Sequence, residues 1–115
     1  MAQENKELLL KDLSARLPYG VFMTNKKLRK TFYPLTCEDL NDAMFDDDWD
    51  DIPYLRPLSS MTEEEKEEYQ AFFNYDGVEY PEEYIDWLNK HHFDYRGLIS
   101  KGLAIEAPKD MYNIK

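Results

Sequence analysis

Residues 20–33, GVFMTNKKLRKTFY, decide the fold class. The segment GVFMT at 20–24 is rich in large apolar residues and reads as a short strand. Asn25 and Lys26 supply a turn, and residues 27–33 read as the hairpin partner. That partner puts Leu28 and Phe32 on one face and Arg29, Thr31 and Tyr33 on the other. Lys30 interrupts the alternation, as a charge guarding an edge strand would, and Pro34 ends the run.

Working outward, helical patterns flank this hairpin. Upstream, Asn5 is placed to cap a helix running to about Arg16. Leu9, Leu10, Leu13 and Leu17 recur at helical spacing and form its apolar face, while Lys6, Glu7, Lys11 and Asp12 cover the other. Pro18 stops it, because a residue before proline is pushed out of the α region. Downstream, Thr36 and Asp39 resemble a capping box for a short helix over 37–45 with Leu40, Ala43 and Met44 as its stripe. Residues 52–58, IPYLRPL, are extended; two prolines make them an edge strand or a polyproline-like segment. Thr62 and Glu65 form the clearest capping box, opening a helix that ends near Asn74, with Tyr69, Phe72 and Phe73 as its buried side. Asp76-Gly77 is a turn. Pro81 opens another helix with Tyr84, Ile85, Leu88 and His91 on one face. Residues 94–101 suggest one more turn closed by Gly102, and 103–107 a last short strand. The expected fold is α+β: a small antiparallel sheet, made of the hairpin plus an edge segment, with an N-terminal helix and two to three C-terminal helices packed on one face. Residues 1–107 form a single domain, and 108–115 a frayed tail.

At 115 residues there is room for one core, in which roughly two-thirds of the unfolded surface can be buried. An aromatic content of 15% favours a folded chain despite a mean hydropathy of -0.75. A net charge of -10 disfavours bulk attraction to nucleic acid or to an anionic membrane. Cys37 is the single cysteine, so the chain forms no intramolecular disulfide. Near the N-terminus the longest apolar run is Leu8 to Leu10, far short of a leader or a membrane span. These features point to the cytoplasm.

The acidic run over 38–51 holds eight carboxylates and no Lys or Arg. Its spacing lacks the alternating oxygen ligands, glycine and late glutamate of a calcium loop, so no metal is expected. The commoner reading of such a run is a solvated loop, open to pairing with the basic residues Lys26, Lys27, Arg29 and Lys30. The functional alternative is a partner surface built from Asp46, Asp47, Asp48, Trp49, Asp50 and Asp51, with Trp49 as an aromatic anchor in a charged rim. Nine rings crowd the second half of the chain; Tyr75, Tyr80 and Tyr95 are the ones a small core would leave exposed for a partner. Cys37 lacks a nearby base, and the adjacent histidines 91 and 92 point about 100° apart on a helix. No phosphate loop, dinucleotide fingerprint, zinc set or other cofactor motif is present, so no enzyme activity and no cofactor are expected.

Three stretches, residues 7–21 (ELLLKDLSARLPYGV), 54–69 (YLRPLSSMTEEEKEEY) and 84–104 (YIDWLNKHHFDYRGLISKGLA), resemble a group of small uncharacterised proteins of gut Bacteroidota and their phages or prophages. The resemblance covers about half the chain and leaves out residues 24–51. It implies a cytoplasmic, accessory, phage-related role and carries over no site residue. The expected function is a non-enzymatic protein-interaction or regulatory module with an unknown protein partner. The alternative is a DNA mimic that inhibits a DNA-binding protein. Unguarded edge strands leave a homodimer open.

Overall fold

The computed structural model describes residues 2–25, 32–46 and 48–112. Residues 26–31, with the basic Lys26, Lys27, Arg29 and Lys30, and Asp47 lie outside the described residues, so the expected pairing of the acidic run with them does too, as does most of the hairpin partner expected over 27–33. The chain is α+β. Among the described residues four helices, α1 (Gln3–Arg16), α2 (Cys37–Phe45), α3 (Glu63–Gln70) and α4 (Pro81–Lys90), accompany six strands. Strands β1 (Phe22–Asn25), β2 (Tyr33–Pro34), β3 (Asp51–Leu55) and β6 (Ile105–Glu106) form one sheet in the order β2-β1-β3-β6. A second, two-stranded sheet joins β4 (Phe73–Asn74) to β5 (Gly77–Val78).

The hairpin of β1 and β2 is antiparallel, with Phe22 opposite Pro34 and Met23 opposite Tyr33. Pro34 therefore belongs to the strand instead of ending it, which an edge position tolerates because no further neighbour needs its missing N–H. The main sheet corrects the sequence reading in two ways. First, β6 pairs parallel to β3, with Tyr54 opposite Ile105, so the sheet is mixed and not purely antiparallel. Second, β3 is flanked on both sides and is not an edge. Pro53 is accommodated there because β6 reaches only Tyr54 and Leu55, leaving β1 as its single neighbour at that point. Beyond Leu55, the Arg56 N–H donates to the His92 carbonyl and the Arg56 carbonyl accepts from Asp94 N–H, both at 2.8 Å. The ladder is thereby prolonged onto the chain that leaves α4.

The core gathers Leu9 and Leu13 of α1, Val21 and Met23, Leu35, Ile52 and Leu55 of β3, and Leu98, Leu103 and Ala104. Alternation along β1 sends Met23 to one side and Phe22 to the other. Phe22 meets Phe32 and Tyr112, with ring centroids 5.1 and 5.5 Å away. A satellite cluster of half-buried rings, Tyr69, Phe72, Tyr84 and Trp87, holds α3 against α4, with separations of 5.6 to 6.2 Å. Ile85, expected on the buried side of α4, is exposed.

Local signals explain most boundaries. Both capping boxes are present, at Thr36 with Asp39 and at Thr62 with Glu65. Pro81 stands at the start of α4. Two boundaries differ from the sequence reading. Helix α1 begins at Gln3, capped by Ala2 without a side-chain bond, so Asn5 is not the cap. Helix α3 stops at Gln70, and Phe73 joins the small hairpin turned at Asp76-Gly77. Residues 94–101 are turns and not a third C-terminal helix, so two helices follow the sheet's centre.

Helix α4 ends in a Schellman motif: Phe93 N–H donates to the Leu88 carbonyl at 3.0 Å and His92 N–H to the Asn89 carbonyl at 3.1 Å. The left-handed position of that motif usually carries glycine. Here it is His92, with φ 64°, a conformation that costs a side chain roughly 1–2 kcal/mol. The expected frayed tail is also corrected as far as Tyr112. The Tyr112 hydroxyl donates to the Tyr54 carbonyl at 2.6 Å and accepts from the Phe22 N–H at 3.0 Å, which docks 108–112 on the sheet.

Candidate interaction site

Helix α2 and the acidic turn after it build the site. Thr36 Oγ1 accepts from Asp39 N–H, and Asp39 Oδ2 accepts from Thr36 N–H at 2.9 Å, fixing the first turn of α2. Ala43 is buried and Leu40 packs against the core, but Met44, the third residue of the predicted stripe, does not turn inward. Phe45 falls off that stripe and is 77% exposed; Met44 is 60% exposed. At the other end of α2, the buried Lys6 ammonium donates to the Asp46 carbonyl at 2.9 Å, tying α1 to the end of α2 where carbonyl dipoles favour a cation.

The acidic run is ordered by its own hydrogen bonds and is more than a solvated loop. Asp46 Oδ1 accepts from Asp48 N–H at 2.9 Å, the local side-chain turn that aspartate favours. Trp49 N–H donates to the Asp46 carbonyl. Asn25 Nδ2 donates to Asp50 Oδ1 and Asp51 Oδ1 at 2.9 and 3.0 Å, and the Tyr33 hydroxyl donates to Asp51 Oδ2. Burial, the Asp51 hydrogen bond and the charges of Asp51 and Asp39 together push the Tyr33 phenol well above its ordinary value, so it stays a donor.

These contacts shape a groove of about 530 Å³. The carboxylates of Asp39, Asp42, Asp46 and Asp51 and the rings of Tyr33, Phe45 and Trp49 line it, with no Lys or Arg among the described lining residues. Of the residues singled out in the sequence, Asp46, Trp49 and Asp51 come together here. Asp48 is exposed beside them, Asp50 is bonded to Asn25, and Asp47 lies outside the described residues. Trp49 is half-buried against the core, so it is a wall of the groove and not a free anchor. Phe45 and Tyr33 are lining residues that the sequence reading missed. The signal for Phe45 was present: an aromatic side chain about 100° off the apolar stripe of a short helix has nothing of its own helix to pack on. Among the described residues, no three His, Cys, Asp or Glu side chains gather as a metal-ligating group, and Cys37 is exposed.

The tyrosines divide. Tyr75 is fully exposed at the turn between β4 and β5, and Tyr80 is 54% exposed just before α4. Tyr95 is occupied internally. Its hydroxyl donates to Asn89 Oδ1 at 3.0 Å, and the Arg16 and Arg96 guanidiniums lie 5.2 and 5.0 Å from its ring. It is half-buried and is not part of an exposed patch with Tyr75 and Tyr80. Around Tyr75 and Tyr80, residues 63–90 carry ten carboxylates against two lysines, a second acidic stretch as strong as the first.

No protein-family model, curated protein or solved structure matches this chain. Among the described residues, no helix is long and apolar enough to cross a membrane.

Proposed function

We propose that this protein is a non-enzymatic interaction module of the cytoplasm, in a phage or mobile-element setting, whose α2 groove receives a Lys or Arg side chain from a basic protein partner. The observation that carries this reading is the convergence of four carboxylates and three rings on one groove, with the Phe45 ring left 77% exposed. Carboxylates attract a cation, and ring faces hold it by cation–π contact that strengthens once water is displaced. Helix capping, the Lys6 tether and the Asn25 and Tyr33 bonds hold the groove in shape beforehand, which lowers the ordering cost of binding. The DNA-mimic reading fits less well, because carboxylates that converge on a cavity and accept internal hydrogen bonds do not form a row at phosphate spacing.

A tagged pull-down from a lysate of the native host, at low and at moderate salt, identifies the partner. A single stoichiometric basic protein, weakened by salt, is expected. The variant combining Asp42→Lys, Phe45→Ala and Asp46→Lys should then bind it at least about 30-fold more weakly, as loss of a hot-spot ring does. All three positions are exposed and the Asp46–Asp48 turn bond is the hydrogen bond lost, so stability should fall by only about 1 kcal/mol. Trp49→Ala is a poorer test, since Trp49 packs on the core and its loss would also destabilise the fold. Undiminished binding by the triple variant would remove the groove from the interface.

A further inference from the structure

His92 stands where a helix end asks for glycine, and it is half-buried. Its ring stacks on the Tyr112 ring with centroids 3.7 Å apart and planes 14° from parallel. Its Nδ1 is buried and has no hydrogen-bond partner among the described residues; Nη1 of the buried Arg16 is in the same condition. Arg16 of α1, Arg56 after β3 and His91 at the end of α4 all place positive charge against the His92 imidazole. Arg16 is countered by Asp12, and Arg56 by Glu65. Tyr112, the neighbour from the C-terminal segment, contributes a phenol that stays neutral, since burial raises its value to about 12.

We propose that His92 is an acid-sensitive latch for the C-terminal segment 108–112: the neutral imidazole holds Tyr112 closed over the sheet, and protonation releases it. The chemistry follows from the neighbours. A proton on the imidazole would put a new cation beside two guanidiniums and a buried N–H with no acceptor. Stacking of an imidazolium on the Tyr112 ring would offset part of this. Burial and the guanidiniums win, which is why the imidazole is held down to about 4 from an ordinary 6.5. Between those two values the unfolded or opened chain binds a proton that the closed one does not, so closure is favoured at neutral pH and weakens as pH falls from 6.5 towards 4. When the latch opens, the Phe22 N–H loses the Tyr112 hydroxyl as its acceptor, and the Phe22 ring loses its stacked neighbour.

The latch has a local reporter in the Phe22 amide. NMR hydrogen exchange on the full chain from pH 7 to pH 3.5, corrected for intrinsic rates, should show Phe22 protection falling at least tenfold as the His92 ring titrates. Core amides such as Met23 and the far-ultraviolet circular dichroism should hold. Tyr112→Ala should leave the Phe22 amide unprotected at every pH, without a step, and His92→Asn, neutral throughout and tolerant of the left-handed backbone, should abolish the step. Should His92→Asn fail to fold, titration of the wild-type His92 ring still decides. A His92 that titrates near 6.5, or Phe22 protection lost only together with the core amides, would overturn the latch.

Discussion

Asp12→Ala is expected to lower stability by about 3–5 kcal/mol, because it leaves a charged guanidinium sealed in the protein without its counter-ion. Asp12 and Arg16 are both fully buried, one turn apart on α1. Arg16 Nε donates to Asp12 Oδ2 at 2.7 Å and Nη2 to Oδ1 at 3.1 Å, a bidentate pair whose geometry Lys cannot copy. Nη2 also reaches the Phe93 carbonyl at 2.7 Å, across 77 residues of sequence. Arg96 closes the network from outside, with Nε 3.1 Å from Asp12 Oδ1. The same carboxylate therefore ties α1 to the chain leaving α4, and its loss affects both. For a domain of this size the change corresponds to a fall in melting temperature of roughly 12 °C or more. Arg96→Ala is the control. Its guanidinium is partly exposed, so its removal should cost about 1 kcal/mol or less. Thermal melts of the two variants side by side test the claim, and an Asp12→Ala melt no lower than that of Arg96→Ala would refute it.

That network also marks the limit of what the sequence discloses. Asp12 and Lys6 sit on the polar side of α1 by periodicity and read as solvent-facing, yet both are buried. A 3.6-residue period separates apolar from polar positions; it does not say whether a polar position will meet water or a distant carbonyl. Capping boxes and proline starts were legible because their partners are three residues away, so Thr36, Thr62 and Pro81 marked their helices correctly. The parallel placement of β6 was not legible, since Ile105 and Tyr54 meet across fifty residues and a two-residue strand carries no directional pattern. At the groove, charge composition pointed to Asp46, Trp49 and Asp51. The pairing of β2 and β3 on the two sides of β1 was needed to bring Tyr33 to them. His92 shows the converse case. The sequence placed His91 on the apolar face of α4 and set residue 92 about 100° away from it; that residue 92 holds a left-handed backbone and stacks on Tyr112 depends on contacts with the C-terminal segment twenty residues on.

Glu65→Ala should match Asp12→Ala in size, about 3–5 kcal/mol, for a related reason. Glu65 is 6% exposed and performs three tasks. Its Oε1 and Oε2 take the Arg56 guanidinium at 2.7 and 2.8 Å, Oε1 accepts the Thr62 N–H at 2.9 Å to complete the α3 cap, and Oε2 lies 2.9 Å from His91 Nδ1. Burial alone would raise the carboxyl above its ordinary value. The Arg56 and Thr62 bonds, with the Arg56 and His91 charges, outweigh it and hold the group near 2. A carboxyl held below its unfolded value of 4.5 stabilises the fold above that pH, and the contribution fades as pH falls towards 2. The alanine variant should therefore lose stability at neutral pH and show a flatter decline over that acid range than the wild type. Arg56 is 4% exposed and lies over the Phe93 ring, its guanidinium carbon 4.3 Å from the ring centroid, so an apolar side chain can occupy its place. The double variant Arg56→Met with Glu65→Leu should accordingly regain most of what Glu65→Ala loses, because burying two apolar groups avoids desolvating two charges. Urea denaturation of both variants at pH 7 separates the outcomes. A double variant no more stable than Glu65→Ala would mean that the hydrogen bonds around the pair (the α3 cap, the His91 contact and the Arg56 bonds to the His91 and Ser60 carbonyls), not the unpaired charge, account for the loss.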